Sequence, residues 1–219
     1  MRNGTRTLVA GMLILFLVPA VSHVMAGLDV DLVLRADLGD DELFMAISSR
    51  YCERDRSTVA DFGVYFRDPD DFAVSVFLAS RSGRGAAEIS GLRERGYTWW
   101  QIGLRLGVPM DSYFVPVTHD PGPPYGKAYG HWKKRGRQSR SPGLLTDADI
   151  RNLVAVRMLH DYYGLSVEQA MARRASGTDI RTLLTVEYRE RHRKASRSPS
   201  SGKGHGKSGA KSKGKVKKK

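Results

Sequence analysis

Disulfide bonds and a full-length membrane span are both missing from this sequence. Its 219 residues include one cysteine, Cys52, which excludes an intramolecular disulfide. We interpret Cys52 as a small buried hydrophobe, with pairing between two chains as the alternative. The main apolar stretch, Leu8 to Val18, is shorter than the ~20 residues that a membrane-spanning helix needs. The body of the chain therefore depends on an ordinary apolar core.

Signatures of catalysis and of metal or cofactor binding are also missing. No two histidines have the spacing of a metal site on one helix. The stretch GRGAAEISG lacks the Gly-Lys-Ser/Thr ending of a phosphate-binding loop. We therefore predict a protein that is not an enzyme and has no cofactor and no metal. An enzyme of unknown chemistry is an alternative, because active sites assemble in space from distant residues.

The first residues have the layout of a secretory signal peptide. Arg2 and Arg6 precede the apolar stretch, and Val24-Met25-Ala26 matches a signal-peptidase site. Cleavage between Ala26 and Gly27 would leave no integral membrane span. The alternative is an uncleaved anchor that places the body on the outer side of the membrane. We expect an exported protein of a bacterial envelope, either periplasmic or extracellular.

The net charge of +13 is concentrated at the C-terminus. Residues 191–219 contain nine lysines, three arginines and no acid, whereas residues 27–190 contain 22 basic and 23 acidic residues. The tail consists mostly of Gly, Ser and Lys and has almost no apolar surface to bury, so we predict that residues 193–219 are disordered. Its candidate side chains for binding a polyanion are Lys203, Lys207, Lys211, Lys213, Lys215, Lys217, Lys218 and Lys219.

The body is predicted to be mainly α-helical, with a small mixed segment at its start. In that segment LDVDLVL alternates like a short strand, DDELFMAISSRYCERD is typical of a helix, and DFGVYFRDPDD is predicted to be extended up to Pro69. Three helices follow: DFAVSVFLASRSG, capped by Asp70 or Asp71, then AAEISGLRERG, then TWWQIGLRLG. The last has a capping-box pair, Thr98 and Gln101.

The same three-helix plan recurs 81 residues later in DIRNLVAVRMLHDYYG, SVEQAMARRASG and TDIRTLLTVEYRERHRK. Ser166 and Gln169 have capping-box spacing at the start of the second of these helices, and Thr178 is predicted to cap the last one. Gly83 then corresponds to Gly164 and Gly96 to Gly177, and this matching favours a duplicated unit. The predicted organisation is a signal peptide over 1–26, an acidic mixed segment over 27–70, a first three-helix unit over 71–115, a linker over 116–146, a second helical unit over 147–192 and a disordered basic tail over 193–219.

Part of the first unit resembles bacterial helix-turn-helix domains. The run G-x-[ST]-x-x-x-I-[AG]-x-x-L-G-V is matched by Gly96, Thr98, Ile102, Gly103, Leu106, Gly107 and Val108. The following segment, PMDSYFVPV, has no Lys or Arg, although a recognition helix needs such side chains to reach bases and phosphates. A helix-turn-helix nucleic-acid-binding regulator, in a chain that is not exported, is the main alternative function.

The linker interleaves aromatic and basic residues, and its Pro and Gly content predicts an irregular chain. These residues are Tyr125, Lys127, Tyr129, Trp132, Lys133, Lys134, Arg135, Arg137 and Arg140. Aromatic rings beside cations suit stacking on bases or sugar rings with the charges on phosphates. In the alternative interpretation, the rings fix the loop to the helices and the basic run is a solvated linker.

The whole layout resembles a group of uncharacterised exported bacterial proteins. The shared features are the signal peptide, the Gly96–Val108 run, the GPPYGKAYG linker, a D-x-x-I-x-x-L helix ending in YYG, and a Lys/Gly-rich tail. The resemblance implies an exported helical protein and carries no activity with it. We expect a non-enzymatic binding or scaffolding module that adheres to an anionic envelope polymer, lipid headgroups or extracellular nucleic acid.

Overall fold

The chain is mainly α-helical, as predicted. The computed structural model describes residues 38–134, 141 and 143–197, and this part of the chain contains nine α-helices and no strand. The predicted strand over 28–34, the cleavage site at Ala26 and Gly27, the middle of the linker and residues 198–219 lie outside it.

The helices follow one another through mostly short turns, with the longest connections on either side of the linker helix. They are α1 (Asp40–Tyr51), α2 (Arg56–Tyr65), α3 (Pro69–Ser82), α4 (Ala86–Glu94), α5 (Trp99–Arg105), α6 (Gly126–Lys133), α7 (Asp147–Tyr163), α8 (Val167–Ala175) and α9 (Ile180–Arg197). A short 3₁₀ turn, Met110–Ser112, follows α5. All nine helices contribute side chains to one continuous cluster of buried residues.

The prediction of an extended segment before Pro69 is wrong, because most of that stretch forms α2. The apparent alternation of apolar residues included Val64, which is 67% exposed. The side chains that enter the core are Val59, Phe62 and Phe66, which follow the three- and four-residue spacing of a helix. Pro69 begins α3 instead of ending a strand, in keeping with the preference of proline for the first helical position.

Two helix caps differ from the prediction by one to three residues. The side chain of Asp68 caps α3 by accepting the N–H of Asp71 at 2.9 Å, so neither Asp70 nor Asp71 is the cap. In the second unit Asp179, not Thr178, accepts the N–H of Thr182 at 3.0 Å. The predicted capping boxes of α5 and α8 are confirmed.

The linker is not irregular throughout, because α6 forms within it. Its sequence GKAYGHWK contains two glycines, which disfavour a helix, yet Ala128 and Tyr129 are buried against the body. Tertiary packing therefore outweighs the local propensity.

Among the described residues, no helix combines the length and apolar character that a membrane span requires.

Several helix boundaries follow the 81-residue spacing that the sequence suggests. Helices α4 and α8 start and end 81 residues apart, and α5 and α9 start 81 residues apart. Gly83 and Gly164 both end the first helix of their unit with positive φ angles of 76° and 63°. Residues with a side chain are strained in this conformation, so glycine is favoured at both positions.

The two units also hold each other through matching ion pairs. Nη2 of Arg174 lies 2.6 Å from Oδ2 of Asp70, and Nη1 of Arg93 lies 2.9 Å from Oδ2 of Asp147. The two arginines are 81 residues apart. Each binds a carboxylate near the start of the first helix of the other unit.

The same two carboxylates satisfy backbone donors at helix starts. Asp70 accepts the N–H of Ile180 at 3.0 Å, and Asp147 accepts the N–H of Trp99 at 2.6 Å. Ile180 and Trp99 are the first residues of α9 and α5 and have no intrahelical acceptor. Each unit therefore supplies the acceptor for a backbone N–H at the start of the third helix of the other unit.

Candidate anion-binding surface

The aromatic residues of the linker face the body of the protein. Tyr125 and Tyr129 are buried, and the hydroxyl of Tyr129 donates to the carbonyl of Val115 at 2.8 Å. Burial raises the pKa of Tyr129 to about 12. The ring of Trp132 is half-buried and stacks on Phe114, with centroids 5.1 Å apart and planes within 3°. These rings fix α6 to the body. The sequence left two roles open for them, packing against the helices and stacking on a ligand, and these contacts are of the first kind.

The lysines around α6 point to solvent. Lys127, Lys133 and Lys134 are exposed, and the structure gives none of them an ion pair within the described residues. Arg135, Arg137 and Arg140 lie outside those residues. The basic run is held at both ends: Nε1 of Trp132 donates to Asp111 at 2.6 Å before it, and the carbonyl of Ser141 accepts Nε1 of Trp100 at 2.7 Å after it.

The two basic residue types have different locations. No lysine precedes Lys127, and after Lys134 the next one is Lys194, so all lysines belong to the linker or to the end of the chain. Nine arginines instead form ion pairs with carboxylates, namely Arg84, Arg93, Arg151, Arg157, Arg173, Arg174, Arg181, Arg189 and Arg191. Arginine suits this role because its planar guanidinium makes several directed hydrogen bonds.

The half-buried carboxylate of Asp71 also takes part in these ion pairs. Burial alone would raise the pKa of Asp71, but hydrogen bonds from Arg151 and from Nε1 of Trp99 outweigh it and hold the pKa below its usual value. Asp71 therefore stays ionised at neutral pH and accepts hydrogen bonds from Arg151 and Trp99 within the fold. It is not a surface group for recognition.

The helix-turn-helix resemblance ends after α5. Helices α4 and α5 match its first two elements, but the segment 106–125 contains only the short 3₁₀ turn. Trp99 and Trp100 are fully buried. In the second unit, the exposed arginines of α9 are engaged, since Arg181 pairs with Asp41 and Arg189 with Asp40. No helix with free basic side chains occupies the recognition position within the described chain.

The cysteine and the histidines of the described chain differ in their surroundings. Cys52 is buried, and burial raises the pKa of its thiol to about 12, so the nucleophilic thiolate is scarce at neutral pH. Nδ1 of His160 lies 2.7 Å from the carbonyl of Leu165, and Nδ1 of His119 lies 2.8 Å from the hydroxyl of Thr118. Within the described residues no three His, Cys, Asp or Glu side chains are arranged to hold a metal ion.

Two surface cavities lie on the first unit. One, between α2 and the start of α4, is lined by Asp61 and Glu88 together with Val64 and Tyr65. Its carboxylates repel an anion. The other is formed by Tyr97, Gln101, Leu104 and Arg105. Sequence reasoning missed this second group, although the spacing of Gln101, Leu104 and Arg105 along α5 places these three on one side of the helix and Tyr97 lies just before it.

Comparison with known proteins adds no assignment: no family model, no curated protein and no solved structure matches the chain.

Proposed function

We propose that this chain is an exported, non-enzymatic envelope module that adheres to anionic polymers through its linker and its C-terminal tail. The observation that carries the proposal is the separation of the cations. Nine arginines of the described chain are engaged in ion pairs, whereas Lys127, Lys133 and Lys134 are exposed at the base of a basic run. Unpaired lysines keep their charge available for a polyanion.

The distribution of charge along the chain supports the same proposal. Residues 27–70 contain eleven acidic and five basic residues, whereas residues 116–146 contain one acidic and six basic residues. An anionic polymer is repelled by the first region and attracted by the second. The molecule would therefore attach by the linker and the tail and keep its acidic N-terminal region away from the polymer.

The inward packing of the linker rings gives the linker its place in this proposal. Because Tyr129 and Trp132 fix α6 to the body, the lysines beside them are presented at a defined position. The tail, with eight lysines beyond residue 198, adds non-specific attraction. Attraction of this kind weakens steeply as salt rises, because binding releases counterions from the polymer.

Deletion of residues 198–219 is expected to abolish most of the salt-sensitive retention of the full chain on phosphocellulose, since it removes eight lysines. Replacing the same lysines by glutamine at constant length should have the same effect. Replacing Lys127, Lys133 and Lys134 by glutamine should remove a smaller part. The measurement is the salt concentration that elutes each protein.

The matched control for this experiment is Arg181→Gln, which removes one exposed charge that is already paired with Asp41. Its elution should be unchanged. Unchanged elution of the tail-deleted and lysine-to-glutamine proteins would contradict adhesion through the tail.

Export is tested separately by fractionating host cells and measuring the mass of the N-terminus. We expect a chain that begins near Gly27 and lies outside the cytoplasm. An intact Met1 in a membrane fraction would indicate an anchor with the body on the outer side. An intact Met1 in the soluble cytoplasm would contradict export.

A further inference from the structure

The cavity beside α5 has the chemistry of an anion site. It has a volume of about 350 Å³ and is lined by Tyr97, Gln101, Leu104 and Arg105. No carboxylate is among these described lining residues. This volume lies near the lower end of the ~300–1,000 Å³ that is usual for ligand pockets, so it suits one ring.

A rigid stack forms one wall of the cavity. The guanidinium carbon of Arg105 lies 4.0 Å from the centroid of the Tyr97 ring, and Nη2 of Arg105 donates to the Tyr97 hydroxyl at 2.7 Å. The backbone of Tyr97 is fixed in turn, because its carbonyl accepts Nη1 of Arg93 at 2.7 Å. The guanidinium is therefore held in one plane before a ligand arrives.

Arg105 keeps hydrogen-bonding capacity in this position. Within the described residues it has no carboxylate partner, and Nε and Nη1 make no hydrogen bond. Nη2 has a second hydrogen, which lies beside the hydrogen of Nε or of Nη1 on one edge of the guanidinium. That edge offers two parallel donors to the two oxygens of a carboxylate or a phosphate. Arg105 thus differs from Arg93 and Arg174, whose charges are used inside the fold.

The other two lining residues offer a donor and an apolar contact. Oε1 of Gln101 accepts the N–H of Thr98 at 3.0 Å, which orients the amide and leaves its NH₂ group as a donor. Leu104 is half-buried and presents a small apolar surface. Gln101 can therefore donate to a hydroxyl group of a ligand, and Leu104 can pack against the apolar face of a ring.

We propose that this cavity seats one anionic sugar ring of the polymer, with Arg105 binding the acidic group, Gln101 a hydroxyl group and Leu104 the ring face. The proposal rests on the function proposed above and gives that adhesion a preferred substrate, an acidic polysaccharide. A nucleobase fits less well, because the guanidinium covers the face of Tyr97 on which a base would stack. Ser141, the first described residue after the basic linker run, accepts a hydrogen bond from Trp100, which precedes Gln101 in the chain.

The test is calorimetric titration of the full chain at ~0.5 M salt, where screening suppresses the contribution of the tail. The probes are a galacturonate trimer, a neutral maltotriose, tripolyphosphate and a short single-stranded oligonucleotide. We expect the galacturonate trimer to bind most tightly. Arg105→Gln should weaken its binding by at least about tenfold, the size expected for loss of a hydrogen bond to a charged group.

Two further variants separate recognition from general charge. Tyr97→Leu removes the support of the guanidinium and should also weaken galacturonate binding, whereas Arg95→Gln removes a nearby exposed charge outside the cavity and should not. Thermal melts of all variants confirm that the fold is intact. Equal losses in Arg95→Gln and Arg105→Gln would overturn the site, as would tighter binding of the oligonucleotide than of the trimer.

The outcome also distinguishes this site from the proposed adhesion. Salt-sensitive retention on phosphocellulose that depends on the tail, together with no Arg105-dependent binding at ~0.5 M salt, overturns the sugar site alone. Loss of both overturns the adhesion model as well.

Discussion

Asp70→Ala is expected to lower the free energy of unfolding by about 3 kcal/mol, because it leaves the charge of Arg174 buried without its main partner. The side chain of Arg174 is only 8% exposed, and both of its terminal nitrogens donate to Asp70, at 3.0 and 2.6 Å. The substitution also removes the acceptor of the Ile180 N–H at the start of α9. Urea unfolding of the full chain measures the change.

A second substitution tests whether the unpaired charge causes the loss. In Asp70→Ala/Arg174→Met the buried charge is gone, so the double variant should be more stable than Asp70→Ala alone. Asp40→Ala is the matched control, because Asp40 pairs with Arg189 at the surface and such pairs contribute roughly 0–1 kcal/mol. Equal costs of Asp70→Ala and Asp40→Ala would show that the link between the units adds nothing special.

Gly103→Ala is expected to destabilise the protein by about 1–3 kcal/mol, although alanine is the better helix former. A Cβ atom on Gly103 would lie 2.0 Å from the hydroxyl oxygen of Tyr113. The ring of Tyr113 is fully buried and packed between Phe77 and Trp100, with centroids 5.4 and 5.9 Å away, so it has little room to move. Urea unfolding again measures the change.

Tyr113→Phe should relieve much of this clash. The Tyr113 hydroxyl is buried and has no hydrogen-bond partner among the described residues, so its removal alone should be neutral or stabilising by about 1 kcal/mol. The double variant Gly103→Ala/Tyr113→Phe should therefore be more stable than Gly103→Ala. Gly91→Ala in α4 is the control, since a Cβ there meets nothing within 4 Å and should stabilise the helix. A loss for Gly91→Ala as large as that for Gly103→Ala would contradict the steric explanation.

The features that the sequence predicted well depend on residues close together in the chain. The capping boxes of α5 and α8 involve side chains three residues apart, so their spacing alone identifies them. The glycines that end α3 and α7 likewise act on the turn beside them. Such signals also located most of the helices of both units.

The features that the sequence did not predict depend on distant partners. The sequence predicts Asp70 or Asp71 as the cap of α3, but Asp70 binds Arg174, which lies 104 residues away. The apolar Val64 favoured an extended segment in the sequence. Apolar character alone does not show which side chains other helices will cover. Arg105 could not be singled out from the sequence. It differs from Arg93 and Arg174 because those two have carboxylate partners in the fold, and the sequence does not show which arginines find such partners.

The confinement of lysine to the linker and the end of the chain has a practical consequence. Because the ion pairs between the two units use arginine, reagents that modify primary amines leave those pairs untouched. Acetylation, biotin labelling or coupling to an activated resin would therefore act on the linker, on residues 194–219 and on the free N-terminus. Such chemistry can immobilise the protein through these amines without modifying the arginine pairs that join the two units.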